Sequence, residues 1–325
     1  MQHKVIDAKD VVIRFAGDSG DGMQLTGTLF ANLSAVYGNG LSTFPDYPAE
    51  IRAPKGTVAG VSGFQVHIGS HKVNTPGDFC DMLVAMNPAA LKANAKWLKR
   101  NATVLVNEDA FDDFGLKKAG FTGNPFEELR IEDRNIIIAP ITKLTEESLK
   151  DSGLDMVSIH KCRNMFTLGM ACFIYSRPLD YVYTYLEGRF AKKHPEMIEP
   201  NRKVVNDGYN YAANIQAVAD TYTVVPDIQE KGIYRNITGN QALAWGLIAA
   251  SEKSGRPLFC GSYPITPATA ILEELAIHKS LGVKTMQTED EIAGICCAIG
   301  ASFAGNLAVT TTSGPGLSLK SEALG

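Results

Sequence analysis

Apolar residues are grouped in two ways along this chain: in short runs of strand length, and in longer stretches with helical spacing. In the N-terminal two thirds, the two kinds of segment follow one another repeatedly. The short runs occupy residues 10–15, 82–86, 103–106 and 135–139, and the helical stretches occupy residues 23–37, 89–99, 165–190 and 201–218. Strands that alternate with helices form βαβ units, so this part is predicted to be an α/β domain with a mostly parallel sheet.

In the C-terminal third, a predicted strand is followed by a predicted helix three times. Strands are predicted at 258–260, at 284–287 and before residue 310, and helices at 241–251, 268–281, 292–303 and after residue 316. Either Thr238 or Asn240 is expected to cap the first of these helices. Thr266 is predicted to cap the second, with Pro267 at its first helical position. The helix at 292–303 is apolar all round, so we expect it to be buried on every side.

Length and composition favour two domains. The 325 residues are 45% hydrophobic, which is enough for more than one buried core. A polar connector that contains Pro and Gly separates the two patterns. We therefore predict a first domain at residues 1–222, a linker at 223–235 and a second domain at 236–325.

Charge and cysteine usage argue against several classes of protein. A formal net charge of −4, without a basic stripe, argues against nucleic-acid binding. No segment approaches the ~20 apolar residues of a membrane-spanning helix. The six cysteines show no C-x-x-C spacing, so we expect them to be small core residues in a reducing compartment. A soluble, cytoplasmic protein is the expectation.

A glycine-rich segment, Gly17-Asp18-Ser19-Gly20-Asp21-Gly22, joins the first strand to the first helix. Strand, glycine loop and helix form the architecture of a phosphate cradle. The glycines lack the dinucleotide-binding spacing, however, and no Lys-Ser/Thr pair follows them. The two carboxylates repel a pyrophosphate unless they turn away from it. A tight turn and a ligand-binding loop are therefore both open.

Two other sets of polar residues are weaker candidates. Arg52 and Lys55 follow a Pro-rich segment, where they either meet an anionic ligand or lie in a solvated loop. His67 and His71 are four residues apart, but the apolar neighbours of His67 indicate a strand, which does not carry a helical metal pair. We expect no metal site there.

Three carboxylates, Glu289, Asp290 and Glu291, open the apolar helix. Acids at a helix N-terminus are ordinary partners of the helix dipole, each worth ~0.3–1 kcal/mol. Glu291 adjoins the apolar run, so its carboxyl group is expected to be partly desolvated, which favours the protonated form. Glu291 is therefore the candidate proton carrier, whereas Glu289 and Asp290 are expected to be dipole partners nearer the surface.

Three separated motifs in this part of the chain stand in a specific order. They are Tyr-Pro-Ile-Thr-Pro at 263–267, Gln-Thr-Glu-Asp-Glu-Ile-Ala-Gly at 287–294, and Thr-Thr-Thr-Ser-Gly-Pro-Gly-Leu-Ser-Leu at 310–319. Together they resemble the pyrimidine-binding alpha domain of thiamine diphosphate-dependent 2-oxoacid:ferredoxin oxidoreductases. The resemblance implies that Glu291 hydrogen-bonds the aminopyrimidine ring of the cofactor and drives formation of the ylide. It also implies that Thr266 faces the 2-oxoacid and that Tyr263 and Pro264 bind the cofactor.

The N-terminal part of the chain resembles the gamma domain of the same enzymes at residues 15–27, 42–52 and 60–66. The likeness is greatest to the 2-oxoglutarate type, in which the gamma domain is fused ahead of the alpha domain. It implies a domain that closes over the active site and helps to bind coenzyme A, with Gly17 to Gly22 as a candidate coenzyme A-side loop. Because the alpha domain of the family continues beyond residue 325, we expect the chain to be truncated at its C-terminus.

The resemblance also implies a reaction and its partners. A 2-oxoacid, with 2-oxoglutarate as the first candidate, is oxidatively decarboxylated to its coenzyme A thioester while ferredoxin is reduced. Thiamine diphosphate and Mg²⁺ are shared with a beta subunit, in an alpha-beta hetero-oligomer. That partner also carries a [4Fe-4S] cluster, since this chain lacks the closely spaced cysteines. Two alternatives stay open: a non-catalytic coenzyme A- or nucleotide-binding assembly module, and a sibling enzyme that uses pyruvate or an aryl pyruvate.

Overall fold

The computed structural model of the chain describes residues 4–47, 60–215, 218, 220–227 and 232–325. The chain divides into two compact units, Met1–Gly232 and Ile233–Gly325. Arg52 and Lys55, together with the end of the 42–52 motif, lie outside the described residues. The assignment of the two units as gamma and alpha domains stays a prediction.

The first unit alternates strands and helices over most of its length. Its strands are β1 (Lys4–Asp7), β2 (Asp10–Asp18), β3 (Gly40–Asp46), β4 (Val61–Gly69), β5 (Cys80–Ala85), β6 (Leu98–Asn107), β7 (Asn135–Ala139) and β8 (Asp220–Thr223). Its helices are α1 (Met23–Tyr37), α2 (Pro88–Asn94), α3 (Asp113–Lys118), α4 (Pro125–Glu128), α5 (Ile141–Leu149), α6 (Met156–His160), α7 (Arg163–Ile174), α8 (Asp180–Phe190) and α9 (Ile198–Asn214).

Within the described residues, the main sheet of this unit has six strands in the order β3-β4-β2-β5-β6-β7. Strands β2, β5, β6 and β7 run parallel, and β4 pairs antiparallel with both β2 and β3. A separate parallel pair joins β1 to β8. The central strands bury apolar side chains on both faces, because helices cover both faces of the sheet. The predicted α/β fold with mostly parallel sheets is confirmed.

Helices α7 and α9 pack against each other at two glycines. A Cβ atom on Gly169 would overlap the carbonyl oxygen of Val205, and one on Gly208 would overlap that of Phe166. Because glycine has no Cβ, the two helix backbones approach closely at this crossing. The contact fixes α7, whose first turn carries residues beside the glycine loop.

Part of the stretch that the sequence assigns to the linker packs on the first unit. Val224 is buried in its core. The Asn39 side chain donates to the carbonyl oxygens of Val224, at 3.2 Å, and Val225, at 2.9 Å. The Asp227 amide donates to the Gly38 carbonyl at 2.9 Å. Residues 224–227 are thus tied to the first unit by hydrogen bonds, with Val225 and Pro226 exposed.

The second unit contains a parallel sheet with helices on both faces. Its strands, in the order β10-β9-β11, are β9 (Leu258–Ser262), β10 (Lys284–Gln287) and β11 (Leu307–Val309). Its helices are α10 (Gly239–Ser254), α11 (Thr269–Ile277), α12 (Glu291–Phe303), α13 (Gly316–Leu319) and α14 (Ser321–Leu324). The three predicted strand-to-helix connections are confirmed. Of the two proposed caps of α10, Thr238 is the one used, in a capping box with Gln241.

One prediction about the helices of this unit is wrong, and a second is met on one face only. Thr266 does not cap α11: the N-cap position belongs to Ala268, and Pro267 precedes the helix. Helix α12 is buried on one face only, where Gly294, Ile295 and Ala298 face the sheet. Its other face is exposed, and the residues along it are Ile292, Cys296, Ile299 and Phe303. Within the described part of the second unit, the sheet covers only the inner face of α12.

Among the described residues, no helix combines the length and the apolar composition needed to cross a bilayer.

Candidate functional site

Hydrogen bonds to Ser262 tie together the carboxyl ends of the three strands described in the second unit. Ser262, the last residue of β9, accepts a hydrogen bond from the Thr311 amide at 2.7 Å, and its Oγ lies 3.0 Å from Thr311 Oγ1. Its carbonyl accepts from the Thr288 amide at 3.1 Å. Ser262 and Thr288 are both buried. Ligands of open parallel sheets bind at this edge, so these buried polar groups lie where a ligand site is expected.

The three carboxylates at the start of α12 differ in their burial and in their hydrogen bonds. Asp290 is the N-cap, and its side chain accepts from the Ala293 amide at 2.7 Å. Glu289 and Asp290 are exposed, as predicted, whereas Glu291 is only 8% exposed. The predicted burial of Glu291 is therefore confirmed, and its catalytic role stays a prediction.

Glycines allow the second motif to pack closely on β9 and on the third motif. A Cβ atom on Gly294 would lie 3.4 Å from the Gly261 carbonyl, so α12 packs closely on β9. A Cβ atom on Gly316 would lie 3.2 Å from Cγ of Glu291 and would overlap the Thr312 hydroxyl. The Glu291 side chain therefore lies against the backbone at the start of α13, where a larger residue than glycine does not fit.

The segment from Tyr263 to Pro267 follows β9 at the same edge of the sheet. Tyr263 is 37% exposed, Pro264 is half-buried and Thr266 is exposed. The Thr266–Pro267 peptide bond is cis. The Asn240 side chain donates to the Pro267 carbonyl at 3.0 Å, which anchors the turn to α10. The exposed Thr266 hydroxyl is available to a ligand, but substrate contact by Thr266 and cofactor contact by Tyr263 and Pro264 stay predictions.

A buried lysine lies against the segment that follows β11. Lys320 is 2% exposed, and its Nζ donates to Thr310 Oγ1 at 2.7 Å and to the Thr311 carbonyl at 3.3 Å. Burial lowers the pKa of Lys320, and the negative charge of Glu291 opposes that effect. No sequence pattern marks Lys320, because a single lysine is usually a solvated side chain.

In the first unit, the glycine loop is built around an inward-facing aspartate. One carboxylate oxygen of Asp21 accepts from the Asp18 amide at 2.8 Å, and the other lies 3.3 Å from Nη2 of Arg163. Asn87 contributes a longer hydrogen bond of 3.4 Å. Burial raises the pKa of Asp21, and the Asp18 amide and the Arg163 charge offset part of that rise. The Asp21 side chain thus holds the loop in place through hydrogen bonds on its inner side.

The outer part of the loop is open to solvent. Asp18, Ser19 and Gly20 are exposed, and a Cβ atom on Gly20 would meet open space. Gly22 has a φ of +73°, and a Cβ atom there would lie 2.8 Å from the Asn164 side chain. The loop can therefore present its tip to a ligand, while contact with coenzyme A stays a prediction. Arg163 and Asn87, which hold it, have no sequence pattern that predicts this role.

Two protein families match different parts of this chain. The family described as "Pyruvate ferredoxin/flavodoxin oxidoreductase" matches residues 12–211, and "Pyruvate flavodoxin/ferredoxin oxidoreductase, thiamine diP-bdg" matches residues 251–325. The chain is similar to "2-oxoglutarate oxidoreductase subunit KorA" of Mycobacterium tuberculosis, with 48% identity over 98% of this chain and 48% of that protein. It is 49% identical to "2-oxoglutarate synthase subunit KorA" of Methanocaldococcus jannaschii over 27% of this chain and 23% of that protein.

A solved structure is similar over the same range. It is the 2-oxoglutarate:ferredoxin oxidoreductase from Magnetococcus marinus with 2-oxoglutarate, coenzyme A and succinyl-CoA bound, at a TM-score of 0.71 and 30% identity. The match covers 98% of this chain and 50% of that one. The chain spans about half the length of the Mycobacterium tuberculosis relative and half of the solved chain. Because the first family covers more than half of its residues, the chain belongs to the pyruvate ferredoxin/flavodoxin oxidoreductase family.

Proposed function

We propose that this chain is part of a thiamine diphosphate-dependent 2-oxoacid:ferredoxin oxidoreductase. The enzyme converts a 2-oxoacid, with 2-oxoglutarate as the preferred substrate, to its coenzyme A thioester and CO₂ while reducing ferredoxin. In this proposal residues 1–222 form the gamma domain, residues 223–235 join the domains, and residues 236–325 belong to the pyrimidine-binding alpha domain. The similarity to the Mycobacterium tuberculosis 2-oxoglutarate oxidoreductase subunit supports the choice of substrate.

The observation that carries the proposal is the placement of Glu291. A carboxylate that is 8% exposed begins a helix at the carboxyl edge of a parallel sheet, and it lies against a glycine that leaves no side chain above it. A buried carboxylate is the group that an aminopyrimidine nitrogen requires as a proton partner. The residues present therefore fit the cofactor, and the segment matches the thiamine diphosphate-binding family.

Each residue of the site has a proposed task. Glu291 holds the pyrimidine ring by a hydrogen bond and exchanges a proton with a ring nitrogen at its carboxylate oxygen. Tyr263 and Pro264 contact the cofactor, and the exposed Thr266 hydroxyl donates to the 2-oxoacid. When bound, thiamine diphosphate supplies the nucleophilic carbon and the electron sink for decarboxylation. Ser262 and Thr311 keep the strand ends fixed beneath these side chains.

The glycine loop is proposed to lie on the coenzyme A side. Of its two carboxylates, Asp21 is turned inward and paired with Arg163, which removes one of the negative charges that oppose a phosphate group. Ser19 and Gly20 at the exposed tip offer a hydroxyl group and backbone amides to the ligand. The coenzyme A and succinyl-CoA named for the solved relative support this part of the proposal.

The remaining parts of the reaction are assigned to partners. The diphosphate and its Mg²⁺ are held together with a beta subunit, which also carries the [4Fe-4S] cluster that passes electrons to ferredoxin. The six cysteines of this chain are free. Cys80, Cys162, Cys172 and Cys260 are buried, whereas Cys296 is exposed and Cys297 half-buried, so the expectation that all six are core residues is wrong for these two. Burial raises the pKa of Cys80 and Cys172 to about 12, which suits inert core thiols and not cluster ligands. Free thiols are in keeping with the proposed cytoplasmic location.

The test is an assay of the full-length protein assembled with its beta subunit. Decarboxylation is measured with 2-oxoglutarate, pyruvate and an aryl pyruvate, with and without thiamine diphosphate and coenzyme A. The expected result is a strict requirement for the cofactor and the highest kcat/KM with 2-oxoglutarate. Preference for pyruvate or the aryl pyruvate would identify a sibling enzyme. An assembly that binds coenzyme A but no thiamine diphosphate would identify the non-catalytic module and overturn the proposal.

A further inference from the structure

Helix α1 begins at the glycine loop without a side-chain cap. The helix has 15 residues, its N-cap residue is Gly22, and its first turn contains no acidic residue. The amides of a first turn have no acceptor within the helix and form the positive end of the helix dipole. Such an end favours an anion, but water can also satisfy these amides, so the helix end alone does not identify a site.

Asn164 gives an independent indication of a ligand at this end of α1. A Cβ atom on Gly22 would lie 2.8 Å from Nδ2 of Asn164, so the carboxamide lies against the N-cap residue. Asn164 is 5% exposed, and its Oδ1 has no hydrogen-bond partner within the part of the chain that the structure describes. A buried polar atom without a partner is destabilising unless something else completes it. Rotation of the carboxamide by 180° exchanges oxygen and nitrogen, so Asn164 can offer an N–H to an anion.

Arg163, which precedes Asn164 in the first turn of α7, brings a positive charge to the same place. A guanidinium group has five N–H groups. Those of Arg163 donate to the His160 carbonyl at 3.0 Å, to Thr142 Oγ1 at 3.5 Å and to Asp21 Oδ1 at 3.3 Å. The contact with Asp21 is longer than the usual ~2.7–2.9 Å of a charge-assisted hydrogen bond. The side chain is 25% exposed, so solvent reaches a guanidinium group that still has N–H groups to donate.

Two carboxylates in the loop oppose an anion, and the structure limits the effect of both. Asp21 Oδ2 accepts from the Asp18 amide at 2.8 Å and lies 2.8 Å from the position of a Cβ atom on Gly17, while Oδ1 faces Arg163. The Asp21 charge is thus engaged within the loop and paired with a cation. The Asp18 side chain is exposed, so water and salt screen its charge. Asp18 is therefore expected to weaken the binding of an anion without preventing it.

We propose that the N-terminus of α1, Arg163 and Asn164 form a binding site for a diphosphate group. The inference rests on the proposed function, in which the glycine loop lies on the coenzyme A side, and it adds the chemical group that is held and two residues outside the loop that hold it. The planar guanidinium group matches a pair of phosphate oxygens. The amides of α1 and the carboxamide of Asn164 suit the second phosphate. Coenzyme A and a free nucleotide both carry this group.

The first test is calorimetric titration of the full-length protein assembled with its beta subunit. Saturating thiamine diphosphate is present, so that the cofactor's own diphosphate site is filled. The probes are coenzyme A, ADP, inorganic pyrophosphate, and pantetheine, which lacks the diphosphate. The first three are expected to bind, and pantetheine is not. Tighter binding of coenzyme A than of ADP identifies coenzyme A as the source of the group, and equal binding identifies a nucleotide. Binding of pantetheine as tight as that of coenzyme A, or no binding of pyrophosphate, overturns the proposal.

The second test replaces the residues that hold the group. Arg163→Met is expected to weaken binding of pyrophosphate and coenzyme A by about 10–100-fold, because a charged hydrogen-bond partner is lost. Asn164→Leu keeps the shape of the side chain and is expected to weaken binding by about 10-fold. Asp18→Asn removes an opposing charge and should tighten binding. Arg202→Met removes an arginine that is paired with Glu187 and Glu199, and it serves as the matched control with wild-type affinity.

Thermal unfolding verifies that each variant is folded at the temperature of the titration. Wild-type affinity for pyrophosphate in both Arg163→Met and Asn164→Leu overturns the proposal. If Asn164→Leu does not fold, the opposite signs expected for Arg163→Met and Asp18→Asn decide the outcome, and weaker binding in Asp18→Asn overturns it.

Turnover separates this inference from the proposed function. If the wild type decarboxylates 2-oxoglutarate with coenzyme A, and Arg163→Met and Asn164→Leu have the wild-type KM for coenzyme A and the wild-type affinity for pyrophosphate, the diphosphate site fails alone. If the wild type neither binds thiamine diphosphate nor decarboxylates a 2-oxoacid, but the two variants lose affinity for pyrophosphate, the proposed function fails and the diphosphate site stands.

Discussion

Ser262 and Thr311 join the carboxyl ends of two neighbouring parallel strands. Ser262 Oγ accepts from the Thr311 amide at 2.7 Å and lies 3.0 Å from the Thr311 hydroxyl. Ser262 is buried at 1% exposure, so neither bond is easily replaced by one to water. The two residues therefore set the spacing of the loops that carry the first and third candidate motifs.

Replacement of Ser262 by alanine is expected to destabilise the second unit. The Thr311 amide loses its acceptor, and a buried donor without a partner costs about 1–3 kcal/mol. Urea unfolding followed by a probe in this unit measures the loss. The matched control is Ser318→Ala on the exposed side of α13, which is expected to change stability by less than about 0.5 kcal/mol. Equal effects of the two substitutions would contradict the structural role of Ser262.

Glu291→Gln is expected to retain the fold and to slow proton transfer. An amide does not exchange a proton with a ring nitrogen as a carboxyl group does, and a positioned proton-transfer group contributes about 10²–10⁴-fold. Deuterium exchange at the thiazolium carbon of the bound cofactor reports the loss. Glu289→Gln, at an exposed position on the same turn, serves as the control and should exchange like the wild type. Wild-type exchange in Glu291→Gln would remove Glu291 from the mechanism.

Because Thr266 lies before helix α11 and does not cap it, replacing Thr266 is expected to affect substrate use and not stability. Thr266 is exposed and does not cap α11, so Thr266→Val is expected to alter stability by less than about 0.5 kcal/mol. The loss should fall on substrate use, because the hydroxyl no longer pairs with the 2-oxoacid. Thr238 is a true cap, and Thr238→Val should cost about 1 kcal/mol. Unchanged steady-state kinetics in Thr266→Val would show that this hydroxyl does not touch the substrate.

Local sequence signals predicted most of the fold. Helix α1 and strands β7 and β10 begin and end at the predicted residues, because glycines or polar residues bound each apolar run. The parallel pair β1 and β8 was not predicted. Val5 pairs with Thr221 across almost the whole first unit, and such a long-range partner leaves no trace in the local pattern.

Residues of the site could be predicted only where an ionisable side chain stands out from the hydrophobic pattern around it. Glu291 was found because a carboxylate next to an apolar run is unusual, and its burial follows from that neighbourhood. The cap assigned to Thr266 was wrong because the turn after β9 extends as far as Ala268 before the helix starts. Ser262 and Lys320 were missed because their roles arise only where the strand ends meet, and neither belongs to a motif with recognisable spacing.

Asp21 gives the glycine loop a predictable pH dependence. Its pKa is raised in the folded protein by burial, so the native state binds more protons than the unfolded state between the ordinary aspartate pKa and the raised value. Stability contributed by protonated Asp21 is present below that window and is lost as pH rises through it. The free energy of unfolding of the wild type, relative to Asp21→Asn, should therefore fall across the window. Asp18→Asn, at an exposed position, should track the wild type; identical curves for all three proteins would contradict the burial effect.

The crossing of α7 and α9 provides the sharpest test of the first unit. In Gly169→Ala the new methyl group overlaps the Val205 carbonyl, which is backbone and cannot rotate away, so the helices must separate. Overpacking of this kind is expected to cost about 3 kcal/mol. Gly188, in the exposed part of α8, has no atom near the position of an added Cβ, and Gly188→Ala should stabilise by about 1 kcal/mol through helix propensity. Thermal unfolding of the two variants should therefore move in opposite directions, and a shift of the same sign in both would show that α7 and α9 do not meet at Gly169.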